Sequence, residues 1–228
     1  MLVAPEEDPR LLALERDLRD RLVERLRAGA RPSPDADAIA VRCLMADGLD
    51  RKAGQILLGV LGRIEAAQGA MPAACGAVAA MLTADRYGAP TKLLADPDEA
   101  LATVRTGGRA IIDIAAQRPW WGRLLAMPDA RITVALPDDA GGRPRAVMVS
   151  LKPTGPTGDD RTFWVTDNAG SEARIVAALA EIGLAANLLT EAGGLKLFML
   201  AGYVQPEDGR LAQAPGTLKG VIGAAPVF

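Results

Sequence analysis

Pro153-Thr154-Gly155-Pro156-Thr157-Gly158-Asp159-Asp160 is the stretch whose reading sets the architecture of this chain. Proline and glycine dominate it and no apolar period survives in it, so the segment is predicted to be a linker. On its far side, residues 162–166 predict a strand, 171–182 a helix, 185–190 and 196–204 an antiparallel pair, and 221–227 a last strand. A short helical or irregular piece precedes that last strand, and the order βαββ(α)β predicts a small ferredoxin-like sandwich over 153–228.

On the near side, residues 131–136 and 146–151 predict two strands separated by the turn-rich 138–144. Before them come an Ala-rich helix at 75–86, a short strand at 91–95, a helix opened by Asp96-Pro97 and running through Val104, and a buried-strand run at 109–114. Pro119-Trp120-Trp121 opens another short helix, and the two indoles read as core or domain-interface residues. Residues 72–152 are thus expected to form a compact α/β middle domain.

The first 71 residues are predicted to be all helical. Leu11, Leu14, Leu18, Leu22 and Leu26 recur at three- and four-residue steps among alternating acids and arginines, the pattern of an amphipathic helix stopped by Gly29 and Arg31-Pro32-Ser33-Pro34. A second helix begins near Asp35 and carries Ile39, Val41, Cys43, Leu44 and Met45 to Gly48. Asp50 then caps a third helix with Ile56, Leu57, Val60, Leu61 and Ile64, ending near Gln68. The expected fold class is α+β multidomain, with boundaries at 1–71, 72–152 and 153–228.

Composition narrows the chemistry. The 228 residues are 50% hydrophobic and 24% charged, with 26 Lys plus Arg against 28 Asp plus Glu and no basic run, which argues against a nucleic-acid partner. The absence of His excludes a Ser-His-Asp triad and any imidazole metal site. Cys43 and Cys75 stand far apart without CxxC spacing, so neither a disulfide framework nor a thiolate metal centre is expected. Gly141-Gly142 and Gly193-Gly194 are turn formers outside any phosphate-loop pattern. No cofactor is expected. The acidic N-terminus and the lack of a long apolar run predict no secretory signal and no membrane span, hence a cytoplasmic protein.

In the order of its parts the chain resembles the bifunctional chorismate mutase–prephenate dehydratase family. The residues that carry the resemblance are Asp8-Pro9-Arg10-Leu11-Leu12-Ala13-Leu14 with Leu22-Val23-Glu24-Arg25 and Arg31-Pro32-Ser33-Pro34-Asp35; Arg86-Tyr87-Gly88-Ala89-Pro90 with Asp96-Pro97-Asp98-Glu99-Ala100 and Ala110-Ile111-Ile112-Asp113-Ile114; and Pro156 to Thr162 with Val221-Ile222-Gly223-Ala224-Ala225-Pro226. The resemblance implies an N-terminal helical mutase-like hairpin, a reduced dehydratase-like middle and an ACT-like regulatory tail. It implies the pericyclic rearrangement of chorismate to prephenate in aromatic amino-acid biosynthesis, which needs cations and shape but no proton shuttle. Arg25 would bind a substrate carboxylate, Gln68 the ether oxygen, Arg16 would stand in for a second Arg, and Asp35 would contact substrate. The family's Glu falls on Ile39, which suits a packed core, and no Lys precedes Lys52.

The dehydratase Thr-Arg-Phe motif falls on Pro144-Arg145-Ala146, so Arg145 remains without the hydroxyl and dehydratase activity is not expected. Gly170 and Glu191 are what remains of the effector segments in the tail. The implied partners are chorismate or prephenate, or an aromatic amino-acid effector, together with a second copy of the chain in a homodimer. A non-catalytic small-molecule-binding regulator of the same ancestry is the alternative. The residues also read structurally: Arg16 and Arg25 as members of a solvated helix face, Gln68 as a polar helix end and Asp35 as an N-cap.

Overall fold

The computed structural model describes residues 9–28, 33–69, 71–115, 118–138, 142–152 and 154–228; within 9–28 the side chains of several residues, Arg25 among them, lie outside the description. Helices α1 (Pro9–Ala28), α2 (Pro34–Ala46) and α3 (Arg51–Ala67) come first, then β1 (Ala73–Cys75), α4 (Ala77–Tyr87), α5 (Pro97–Arg105) and β2 (Ala110–Asp113). A 3-10 helix (Trp120–Ala126) leads to β3 (Arg131–Leu136) and β4 (Ala146–Ser150). The chain ends with β5 (Asp160–Thr166), α6 (Glu172–Glu181), β6 (Ala186–Ala192), β7 (Leu195–Ala201), a second 3-10 helix (Gly209–Ala212) and β8 (Lys219–Pro226). Helix starts follow local chemistry: the Asp50 side chain accepts from the Ala53 N–H, and Asp96 accepts from the Asp98 and Glu99 N–H groups ahead of Pro97.

All eight strands join one mixed sheet in the order β1-β2-β4-β3-β8-β5-β7-β6. This corrects the expected multidomain fold class, in which the middle and the tail each built their own layer. The join is at β3 and β8, which run parallel and meet at Ile132↔Gly223. Gly223 has φ +144°, and a Cβ there would overlap the backbone of Ile132, so only glycine lets the two strands close on one another. The core confirms the fusion: Trp120, Trp121, Ile132 and Val149 from one half pack with Phe163, Val165 and Ile222 from the other.

The expected ferredoxin-like sandwich is corrected for a second reason. Between β7 and β8 the helix such a unit needs is a four-residue 3-10 turn, and β8 spends its outer edge on β3. Nor do the N-terminal helices form a separate hairpin domain. Val41, Leu44, Leu57, Leu58 and Leu61 pack together with Phe228 from the far end of the chain, and Ala66 and Met71 lie against the sheet beside Tyr87 of α4. The segment after Pro153 is tied down at several points. Thr154 Oγ1 donates to the Ala224 carbonyl at 3.0 Å, Tyr203 Oη donates to the Thr154 carbonyl at 3.1 Å, and Arg42 Nη2 on α2 donates to the Thr157 carbonyl at 2.6 Å. The strand expected at 91–95 reduces to an isolated bridge between Leu93 and Ala74, while β1 goes unforeseen.

Alternation along the strands sorts the two faces. Ile112, Val147 and Phe163 face α5 and the first 3-10 helix; Ile111, Met148 and Trp164 face the side that carries α3, α4 and α6. Among the described residues no helix is long and apolar enough to cross a membrane.

Candidate functional site

A concavity opens between the start of α2, the end of α3 and the part of the sheet formed by the start of β3 and the end of β4. It is a cleft of about 590 Å³, a volume suited to a small metabolite. Met148 and Ser150 lie on the same face of β4 and form its floor. Thr133 joins them because it follows Ile132, whose side chain points to the opposite face; the bulge between Ile132 and Val134 then turns Val134 to the same face as Thr133. The Ser150 hydroxyl donates to Thr133 Oγ1 at 3.4 Å or to the Lys152 carbonyl at 3.1 Å, so both buried hydroxyls are anchored.

The walls come from four chain segments. Ser33, Pro34 and Asp35 start α2; Gly69 and Met71 follow α3; Gly107, Gly108 and Arg109 connect α5 to β2; Leu151, Lys152 and Thr154 follow β4. Gly107 has φ +90°, a conformation that lets the chain leave α5 and turn directly into β2, placing Arg109 on the wall. Leu151 is 37% exposed at the rim.

Asp35 is a structural latch on this rim. Its carboxylate accepts from Ser33 Oγ at 2.5 Å, from the Ala36 N–H at 3.0 Å and from the Gly155 N–H at 3.1 Å. Burial alone would raise its pKa, but these hydrogen bonds outweigh it and hold the carboxyl below the usual carboxylate range. Arg109 makes an ion pair with Glu65 of α3, both of its Nη atoms reaching the same Oε2 at 3.3 and 3.4 Å. Burial pushes the Glu65 carboxyl up, Arg109 and Arg86 draw it down, and buried Asp37 pushes it up again. Tyr87, enclosed beside this group, is pushed up to about 12 by burial and then by Glu65.

No group of residues able to hold a metal ion occurs among the described residues. Among the described residues the cleft's hydroxyls lack a strong base: Ser33 does donate to a carboxylate, but a carboxylate held at low pKa abstracts protons poorly. At the other end of the sheet, Asp113 fills the start of α4 by accepting from the Ala79 N–H at 2.5 Å and the Val78 N–H at 3.4 Å. The nearby Cys75 thiol is buried, and burial followed by Asp113, Asp96 and Glu99 raises its pKa, which makes it a poor nucleophile.

Of the described residues singled out from sequence, only Asp35 lines the cleft. Arg16 is exposed on α1, and the side chain of Arg25 lies outside the described residues. Gln68 is exposed as the C-cap of α3, next to but not among the lining residues. Arg145 is exposed, holding β2 and β3 through its backbone, with its N–H on Leu136 and its carbonyl on Ile114. Gly170 donates its N–H to Asn168 Oδ1 ahead of α6, and Glu191 is an exposed partner of Lys196 at 3.6 Å. Ile39, assigned to a packed core, is 46% exposed on α2. Missed by the sequence reading were Thr133, Met148, Ser150, Lys152 and Arg109. The Gly107-Gly108-Arg109 turn was the available sequence signal, because a glycine pair before a buried strand brings the next residue close to the strand's end.

No family model matches the sequence, and no curated protein matches it. Among solved structures the chain is similar to one described as "GqqA- a novel type of quorum quenching acylases", at 18% identity and a TM-score of 0.43, over 68% of this chain and 94% of that one. The resemblance to chorismate mutase–prephenate dehydratase proteins is corrected: no family model matches in support of it, and one mixed sheet replaces the three-part arrangement on which it rested. The expected chorismate rearrangement, the place in aromatic amino-acid biosynthesis and the ACT-like regulatory domain fall with it.

Proposed function

We propose that this chain binds a small organic anion in the cleft between α2, α3 and the β3–β4 face. The observation that supports it is the lining itself: an apolar floor and rim of Met71, Met148 and Leu151, interrupted by the anchored hydroxyls of Thr133 and Ser150 and by the cations Arg109 and Lys152. The one acid of the described lining, Asp35, already accepts three hydrogen bonds from the protein, so it is a weak attractor for a ligand cation. An anion with an apolar body satisfies both parts of such a surface, since its charge pairs with Lys152 and its body covers the methionines.

The test is a titration of methyl-13C-methionine protein with benzoate and with its neutral isostere benzamide. Benzoate is expected to shift the Met71 and Met148 methyls in a saturable way, with benzamide at least tenfold weaker. Lys152→Glu, at an exposed site that leaves the fold intact, is expected to weaken benzoate at least tenfold. Equal shifts from the two compounds, or none from either, would overturn the reading.

A further inference from the structure

The wall of the cleft holds an ion pair that is poorly made. In a strong Arg–carboxylate pair two parallel N–H groups meet two oxygens at about 2.7–2.9 Å. Here both Arg109 nitrogens converge on the single Oε2 of Glu65 at 3.3 and 3.4 Å. The two residues also differ in access: Arg109 lines the cleft, whereas Glu65 is 6% exposed behind it on α3. A ligand carboxylate entering the cleft therefore meets a guanidinium that Glu65 holds by one oxygen.

The surroundings of Glu65 decide its protonation state once Arg109 turns away. From α2 the buried Asp37 adds a second negative charge, and from α4 come Arg86 and the buried Tyr87. Arg86 is itself engaged with Asp138 at 3.4 Å. With Arg109 shared with a ligand, an ionised Glu65 would stand in a low-dielectric site beside another acid, with Arg86 divided between it and Asp138. Neutralisation by a proton is the lower-energy outcome.

We propose that binding of an organic anion in this cleft draws Arg109 from Glu65 and is coupled to uptake of one proton by the Glu65 carboxylate. The proton comes from solvent and forms an O–H bond on Glu65; no other covalent bond changes. The charge carried into the cleft by the anion is balanced by the proton taken up behind it, so the protein favours anions as pH falls. This inference rests on the reading of the cleft as an organic-anion site and adds its regulation by pH.

Two measurements with benzoate test it. Calorimetric titration at near-neutral pH in buffers of different ionisation enthalpy is expected to show uptake approaching one proton per benzoate bound, with affinity falling up to tenfold per pH unit. In Glu65→Gln, benzoate still binds but the uptake and the pH dependence disappear. Because that variant is expected to lose stability, the second readout uses the wild type: the 13Cδ signal of Glu65 is expected to move from the ionised to the protonated position when benzoate is added. Saturable benzoate binding without proton uptake, or uptake that persists in Glu65→Gln, would overturn the coupling and leave the cleft reading standing. Absence of saturable binding at Met71 and Met148 would overturn both.

Discussion

At the scale of single residues, the acids of this protein divide by what surrounds them. Asp35 is held ionised by donors from Ser33, Ala36 and Gly155, so its folded pKa lies below the unfolded value of about 3.9. Its contribution to stability is then fully present above that value and is lost as pH falls through the folded pKa. Asp35→Asn is expected to cost about 1 kcal/mol at pH 7 in chemical denaturation, with the difference from wild type vanishing in strong acid. Glu65 is the opposite case. Its pKa is raised by burial, so its ionisation in the fold costs stability as pH rises from the unfolded value toward the folded one. Removing its charge nevertheless breaks the ion pair with Arg109, and Glu65→Gln is expected to destabilise by about 3 kcal/mol, as for other broken buried pairs; an unchanged denaturation midpoint would contradict the pairing. Asp35 was legible in the sequence as a residue at the start of a helix. Glu65 was not, because nothing in a helical stripe announces that an acid will lie against an arginine 44 residues away.

Elements were read more reliably than their neighbours. The caps at Asp50 and Asp96 and the periodicities of α3, α5, α6 and most strands express local physics, and the structure places helices and strands there. Strand pairing is non-local, and here it hinged on one glycine. Val221-Ile222-Gly223 reads as an ordinary strand, and only the fold shows that Gly223 is the position where β8 touches the backbone of β3. Gly223→Ala is expected to destabilise by about 3 kcal/mol through its positive φ and backbone overlap, measured by thermal or urea unfolding. The same change at Gly209, which has open space around it, is expected to cost far less. The β3 bulge was equally invisible: strict alternation after Ile132 would have turned Val134 away from Met148, whereas the bulge pairs them on one face.

For the whole molecule, the Pro-Gly stretch at 153–160 looked like a boundary because its composition forbids regular structure, yet irregular backbone is not the same as a free linker. Arg42, Tyr203 and Ala224 hold it against the body, and one cluster of buried side chains draws on both halves. Trp120 and Trp121 on one side of that stretch and Trp164 on the other are all buried. Their fluorescence is expected to change in one urea transition that coincides with far-UV circular dichroism; separate midpoints would mean that the shared sheet does not couple the halves. The site was hardest to read because it belongs to no motif: its lining comes from segments spread between Ser33 and Thr154 and exists only once the sheet is closed. The most direct measurement is therefore of the cleft itself. In a benzoate complex, intermolecular nuclear Overhauser effects from the ring protons are expected at the methyl groups of Met148 and Met71 and at the methyl of Thr133. Effects confined to other methyl groups, or none at saturating benzoate, would contradict the assignment of this cleft as the ligand site.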